Sequence, residues 1–75
     1  MTKYMYIWLD WGLYDIKKVE VVEKDYTGLK VDLKGVSRVR YLNEFETFLC
    51  ANEHLFDTIK QAKEYAKANT PSGAF

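Results

Sequence analysis

The feature that most constrains this chain is the make-up of its first fourteen residues. Tyr4, Met5, Tyr6, Ile7, Trp8 and Leu9 form an unbroken apolar run, and Trp11, Leu13 and Tyr14 follow closely. In an extended strand, successive side chains point to opposite faces. Tyr4, Tyr6 and Trp8 then share one face, and Met5, Ile7 and Leu9 share the other. Both faces call for burial. A domain of about this size buries only about 60% of its unfolded-chain surface. The run therefore predicts one face left over for a partner, unless Tyr4, Tyr6 and Trp8 are simply core beneath another element.

Seventy-five residues make one domain. Aromatic residues make up 16% of the chain, and large rings are one way for a small chain to build enough core. Eleven basic and eleven acidic residues cancel, which argues against a strongly basic nucleic-acid binder. The single cysteine excludes an internal disulfide framework. With His54 the only histidine, Cys and His are too few for a structural zinc site. A lone thiol fits a reducing cytoplasm. No apolar stretch is long enough to span a bilayer. The N-terminal run is too short and too soon followed by Asp10 to be a signal peptide. A soluble, cytoplasmic protein is expected.

Extended segments dominate the pattern. Lys3 to Leu9 reads as a first strand, and Asp10-Trp11-Gly12 as a reversal, because Gly12 takes positive φ cheaply. Leu13 to Glu23 reads as a second strand, helped by the β-branched Val19, Val21 and Val22. The alternation slips at Val21-Val22, which predicts a bulge or bend. Asp25-Tyr26-Thr27-Gly28 reads as a turn. Leu29, Val31 and Leu33 then alternate with Lys30, Asp32 and Lys34 as in a half-buried strand. Gly35 breaks that strand. Val36 to Leu42 resumes the alternation, with Arg38 and Arg40 on one face and Ser37, Val39 and Tyr41 on the other. A short strand near Glu46 to Cys50, a turn near Asn52-Glu53 and an extended piece at His54 to Phe56 follow.

One helix closes the chain. Thr58 and Gln61 have capping-box spacing. Ile59, Ala62, Tyr65 and Ala66 recur at helical intervals and predict the buried stripe. Asn69 and Pro71 end the helix. Residues 1–69 are expected to form a single α+β domain and 70–75 a flexible tail. The predicted fold is a small antiparallel, strongly bent sheet or SH3-like partial barrel of four to five strands with one C-terminal helix.

Catalytic readings find little support. Cys50 with His54 as its base lacks an orienting third group, an oxyanion site and a cleft. Cys50 reads better as a small buried hydrophobe. His54 beside Glu53 and Asp57 reads as a turn residue. The carboxylates Asp10 and Asp15, or Glu44 and Glu46, read as solvated groups. Gly28 and Gly35 stand alone and form no phosphate loop. No enzyme activity, cofactor or metal is expected.

Charge is unevenly spread. Residues 17–40 hold seven basic side chains against four acidic, while residues 41–57 hold four acidic and no Lys or Arg. Arg38 and Arg40, with Lys30 or Lys34 near, suit phosphate or an acidic partner patch. A solvated strand face is the plainer reading of the same residues. Tyr and Trp, by contrast, make good interface anchors.

In the second half, Arg38-Val39-Arg40-Tyr41, then Phe45-Glu46-Thr47-Phe48, then the run Leu55-Phe56-Asp57-Thr58-Ile59-Lys60-Gln61-Ala62-Lys63-Glu64-Tyr65-Ala66 resembles the small accessory proteins of tailed bacteriophages. Those proteins carry a few strands followed by a similar Phe-Asp-Thr entry into a final helix. The resemblance implies a host-takeover or anti-defence factor, anti-CRISPR proteins among them. It is carried by a helix-start signature and transfers no functional residue.

The sequence therefore predicts a non-enzymatic protein that occupies a surface of a host bacterial protein. Tyr6, Trp8 and Trp11 are the expected anchors, and Arg38 and Arg40 the expected charged contacts. Strand-to-strand pairing in a homodimer is another way to cover the first strand. A nucleic-acid-binding module of SH3-like or OB-like type is the alternative function.

Overall fold

The computed structural model describes residues 1–26 and 35–70. The expected strand through Leu29, Val31 and Leu33, the second half of the turn before it and the tail beyond Thr70 lie outside the described residues. Among the described residues, five strands form one antiparallel sheet: β1 (Thr2–Asp10), β2 (Leu13–Glu23), β3 (Val36–Tyr41), β4 (Phe48–Ala51) and β5 (Leu55–Phe56). Their order is β4-β3-β2-β1-β5. A 3-10 turn (Asn52–His54) separates β4 from β5, and the helix α1 (Ile59–Asn69) follows. The α+β architecture read from the sequence is the observed one, with an open sheet.

The β1–β2 hairpin is the longest pairing, running from Thr2 opposite Glu20 to Asp10 opposite Leu13. Gly12 turns it at φ 72°, and the Asp10 carboxylate accepts the Trp11 backbone N–H at 2.8 Å. The slip predicted at Val21-Val22 is a real irregularity: the β2–β3 register shifts between Val21 and Glu23. Gly35, just before β3, takes φ 78°.

Alternation sorts the side chains. Met5, Val19, Val39 and Cys50 form the core on one face of the sheet, with Ile7, Val21, Tyr41, Phe48 and Leu55 packed against them. Tyr6 lies on the opposite face, under α1, with its ring centroid 5.2 Å from that of Tyr65. The helix begins with the predicted capping box, Thr58 and Gln61 each satisfying the other's backbone N–H. Ala62 and Ala66 are buried, and their small side chains let the helix lie close on the sheet. Ile59, expected in the same stripe, is instead 47% exposed. It occupies the first helical position, before the helix has settled onto the sheet.

Two further expectations are corrected. β4 begins at Phe48, two residues later than predicted. Asn43 at φ 68° turns the chain after β3, and Phe45 in the following loop is 95% exposed. The forecast that one face of β1 is left over also fails. Met5 and Tyr6 point to opposite faces and both are buried. Exposure divides along β1, not across it.

Candidate protein-binding surface

That lengthwise division follows from how far the neighbouring elements reach. β5 pairs only with Tyr4 and Met5 on the outer edge of β1. β3 meets β2 only from Val19 onward. The helix has eleven residues, a length of about 16 Å, and its end reaches Tyr6. There the Tyr6 hydroxyl and the Thr70 hydroxyl lie 2.7 Å apart. Beyond these limits, residues 7–10 and 13–15 pair only with each other among the described residues. The end of the hairpin is thus a two-stranded ribbon extending past the sheet.

This ribbon carries the exposed aromatics. Trp8 is 48% exposed and Trp11 58%. Their rings meet edge-to-face, 5.9 Å apart at an interplanar angle of 81°. Leu9 and Leu13 beside them are also exposed. The register shifts between Trp8 and Asp10, which leaves Leu9 without a cross-strand partner on β2. Four large apolar side chains, each about half exposed, thus gather at one end of the hairpin, with Trp8 and Trp11 in ring contact.

Of the three aromatic anchors expected from the sequence, the structure brings Trp8 and Trp11 together and removes Tyr6. At 7% exposure, Tyr6 is core. It packs against Tyr14, His54 and Tyr65 and ties the ribbon's base to the helix. Burial first, and then the charges of Glu53 and Tyr6, push the Tyr65 hydroxyl above the ordinary tyrosine range.

Arg38 and Arg40 do share a face, as predicted, but neither is free. Both Arg40 Nε and Nη2 donate to one Glu20 oxygen, at 3.0 and 2.6 Å. Arg38 Nε lies 3.8 Å from a Glu23 oxygen. Glu20 and Glu23 stand directly across the β2–β3 ladder from Arg40 and Arg38. These cross-strand pairs hold Arg40 by hydrogen bonds and Arg38 only by a looser ion contact, its Nε having no hydrogen-bond partner. They weaken both the charged-contact role and the phosphate-binding role read from the basic stretch. Sequence reasoning missed this because Glu20 and Glu23 were counted as part of a basic segment. The two-residue spacing from Arg38 to Arg40 and the bulge between Glu20 and Glu23 were the available signals.

Cys50 is buried in the core, and burial pushes its thiol up to about 11. A thiol so protonated is a poor nucleophile. Among the described residues, no group of three or more His, Cys, Asp or Glu side chains is placed to hold a metal ion. No helix among them is long and apolar enough to cross a membrane. Phe45, which no sequence signal marked as exposed, stands between Glu44 and Glu46 and is a second outward apolar group, apart from the ribbon.

No protein-family model matches the chain, and no curated protein or solved structure matches it at a significant level.

Proposed function

We propose that this chain is a non-enzymatic binding protein that docks on a host bacterial protein through the end of its β1–β2 hairpin. Trp8 and Trp11 are the anchors, with Leu9 and Leu13 at their sides. The observation that carries the reading is the edge-to-face Trp8–Trp11 pair, half exposed on a ribbon that neither the helix nor the neighbouring strands cover. Tryptophan is among the residues that dominate binding energy at interfaces, because it supplies a large, rigid apolar area with few rotamers to fix. The likeness of the second half to small phage accessory proteins supports a host-takeover or anti-defence inhibitor, an anti-CRISPR being one form. Action of such a protein belongs in the host cytoplasm.

The experiment is capture of partners by the tagged protein from nuclease-treated bacterial lysate, run beside a Trp8→Ser/Trp11→Ser variant. The reading expects one host protein held in near-stoichiometric amount by the wild type and lost by the variant. Replacing a true anchor costs at least about 2 kcal/mol of binding, which removes roughly 97% of the affinity. Equal capture by both proteins overturns the assignment of the site.

A further inference from the structure

The helix delivers the chain to the base of the exposed ribbon. Asp57, just before α1, pairs with Lys3, and Thr70, just after it, meets Tyr6. The helix thus advances in the sense in which β1 runs toward Trp8. Thr70 is extended, at φ −82° and ψ 116°. Pro71 after it favours that conformation and cannot continue the helix. Residues 71–75, outside the described residues, therefore start beside Tyr6 from an extended residue.

A row of rings starts at the same point. The centroids of Tyr6 and Tyr14 are 6.1 Å apart. Tyr14 stands directly across the hairpin from Trp8, and Trp8 meets Trp11. The helix covers Tyr6 and leaves both tryptophans exposed.

We infer that residues 71–75 fold back along this row and seat the Phe75 ring on the Trp8–Trp11 pair. Three observations select this segment as the occupant. The first is reach: five extended residues span about 17 Å, and Trp8 lies about 7 Å beyond Tyr6 along the strand. The second is chemistry. Pro-Ser-Gly-Ala-Phe has no charged side chain, and neither does the row of rings. Its one aromatic stands at the far end of the reach, where a third ring can pair edge-to-face or offset with the two indoles. The third is tethering. A group held within so short a reach is present at about millimolar effective concentration, so a modest contact is populated without any separate molecule.

The tryptophan pair is then covered by the chain's own residues until a partner displaces them. That consequence rests on the proposed docking site, whereas the contact itself does not.

NMR of the full chain tests the contact. With two tryptophans, the chain gives two indole N–H resonances, assigned by Trp11→Phe. Cross-relaxation between the Phe75 ring and the indole of Trp8 or Trp11 is expected. Phe75→Ser is expected to move both indole resonances, because the shielding of a seated ring is lost, and to leave the amides of Val19 and Val39 in the core unchanged. Phe75→Tyr keeps the ring and is expected to keep the indole resonances close to their wild-type positions. Absence of the cross-relaxation overturns the inference, as do indole resonances that coincide in the wild type and Phe75→Ser. A Phe75 effect that vanishes on dilution also overturns it, since the ring then belongs to a second copy. Host capture is scored separately. Ring contact without capture leaves the inference standing and removes the docking reading, and capture without ring contact does the reverse.

Discussion

The Tyr6 hydroxyl meets the Thr70 hydroxyl at 2.7 Å, joining the middle of the first strand to the residue that caps the C-terminal end of the helix. Sixty-four positions separate the two residues in the chain. The contact marks where the helix stops covering the hairpin, and hence where the exposed ribbon begins. Tyr6→Phe keeps the ring packed against Tyr65 and removes only this hydrogen bond. A loss of about 1 kcal/mol is expected, read as a lower chemical-denaturation midpoint with an unchanged slope. Thr70→Val is expected to cost a similar amount, and the double variant less than the sum of the two.

Ser37 is the one fully buried polar side chain among the described residues. Its hydroxyl donates to the Asn52 side-chain oxygen and accepts the Asp25 backbone N–H at 3.2 Å, while the Asn52 amide donates to Asp25 at 2.8 Å. The group ties the end of β2 to the turn before β5. Ser37→Ala removes both bonds, from the half-buried Asn52 and the exposed Asp25, and a destabilisation of about 1 kcal/mol is expected. Equilibrium denaturation measures it. A change under about 0.5 kcal/mol, the usual size of a surface substitution, would show that water replaces the hydroxyl.

Burial lifts the Cys50 thiol from its ordinary 9.0 to about 11 in the folded protein. The unfolded chain therefore gives up this proton first as pH rises. The contribution of the neutral thiol to stability is complete below about pH 9 and is lost as pH climbs toward 11. Wild-type protein should lose more stability across that window than Cys50→Ala. Thiol labelling at pH 8 should be slow in the native state and fast in denaturant.

Trp11 contributes to a surface and little to the fold. Trp11→Ala gives up one edge-to-face contact with Trp8, worth about 0.5–1.5 kcal/mol at most, at a site already largely in water. Folding stability is expected to fall by less than about 1 kcal/mol. Tyr6→Ala, by contrast, empties a site beneath the helix and is expected to cost about 3–5 kcal/mol. Thermal melts of the two variants side by side measure the contrast that separates an interface tryptophan from a core tyrosine.

Local chemistry made much of the fold legible. Alternation and β-branching marked β1, β2 and β3. Gly12 marked the reversal, Val21-Val22 the bulge, and Thr58 with Gln61 the helix start. Each of these signals acts within a few residues, where backbone sterics and nearest-neighbour hydrogen bonds decide the outcome. The same locality explains the placement of Arg38 and Arg40 on one face, opposite Ser37 and Val39.

What the tertiary structure alone decided was which members of each face meet water. Tyr6 and Trp8 are equivalent by period, yet one is core and the other surface, because an eleven-residue helix reaches the first and ends before the second. Arg38 and Arg40 look like free cations in the chain, yet Glu20 and Glu23 stand across the ladder from them. Pairing of that kind is set by strand register between residues far apart in the chain. Coverage depends on the lengths of α1 and β5 relative to the hairpin they pack on, and no window of sequence holds all three.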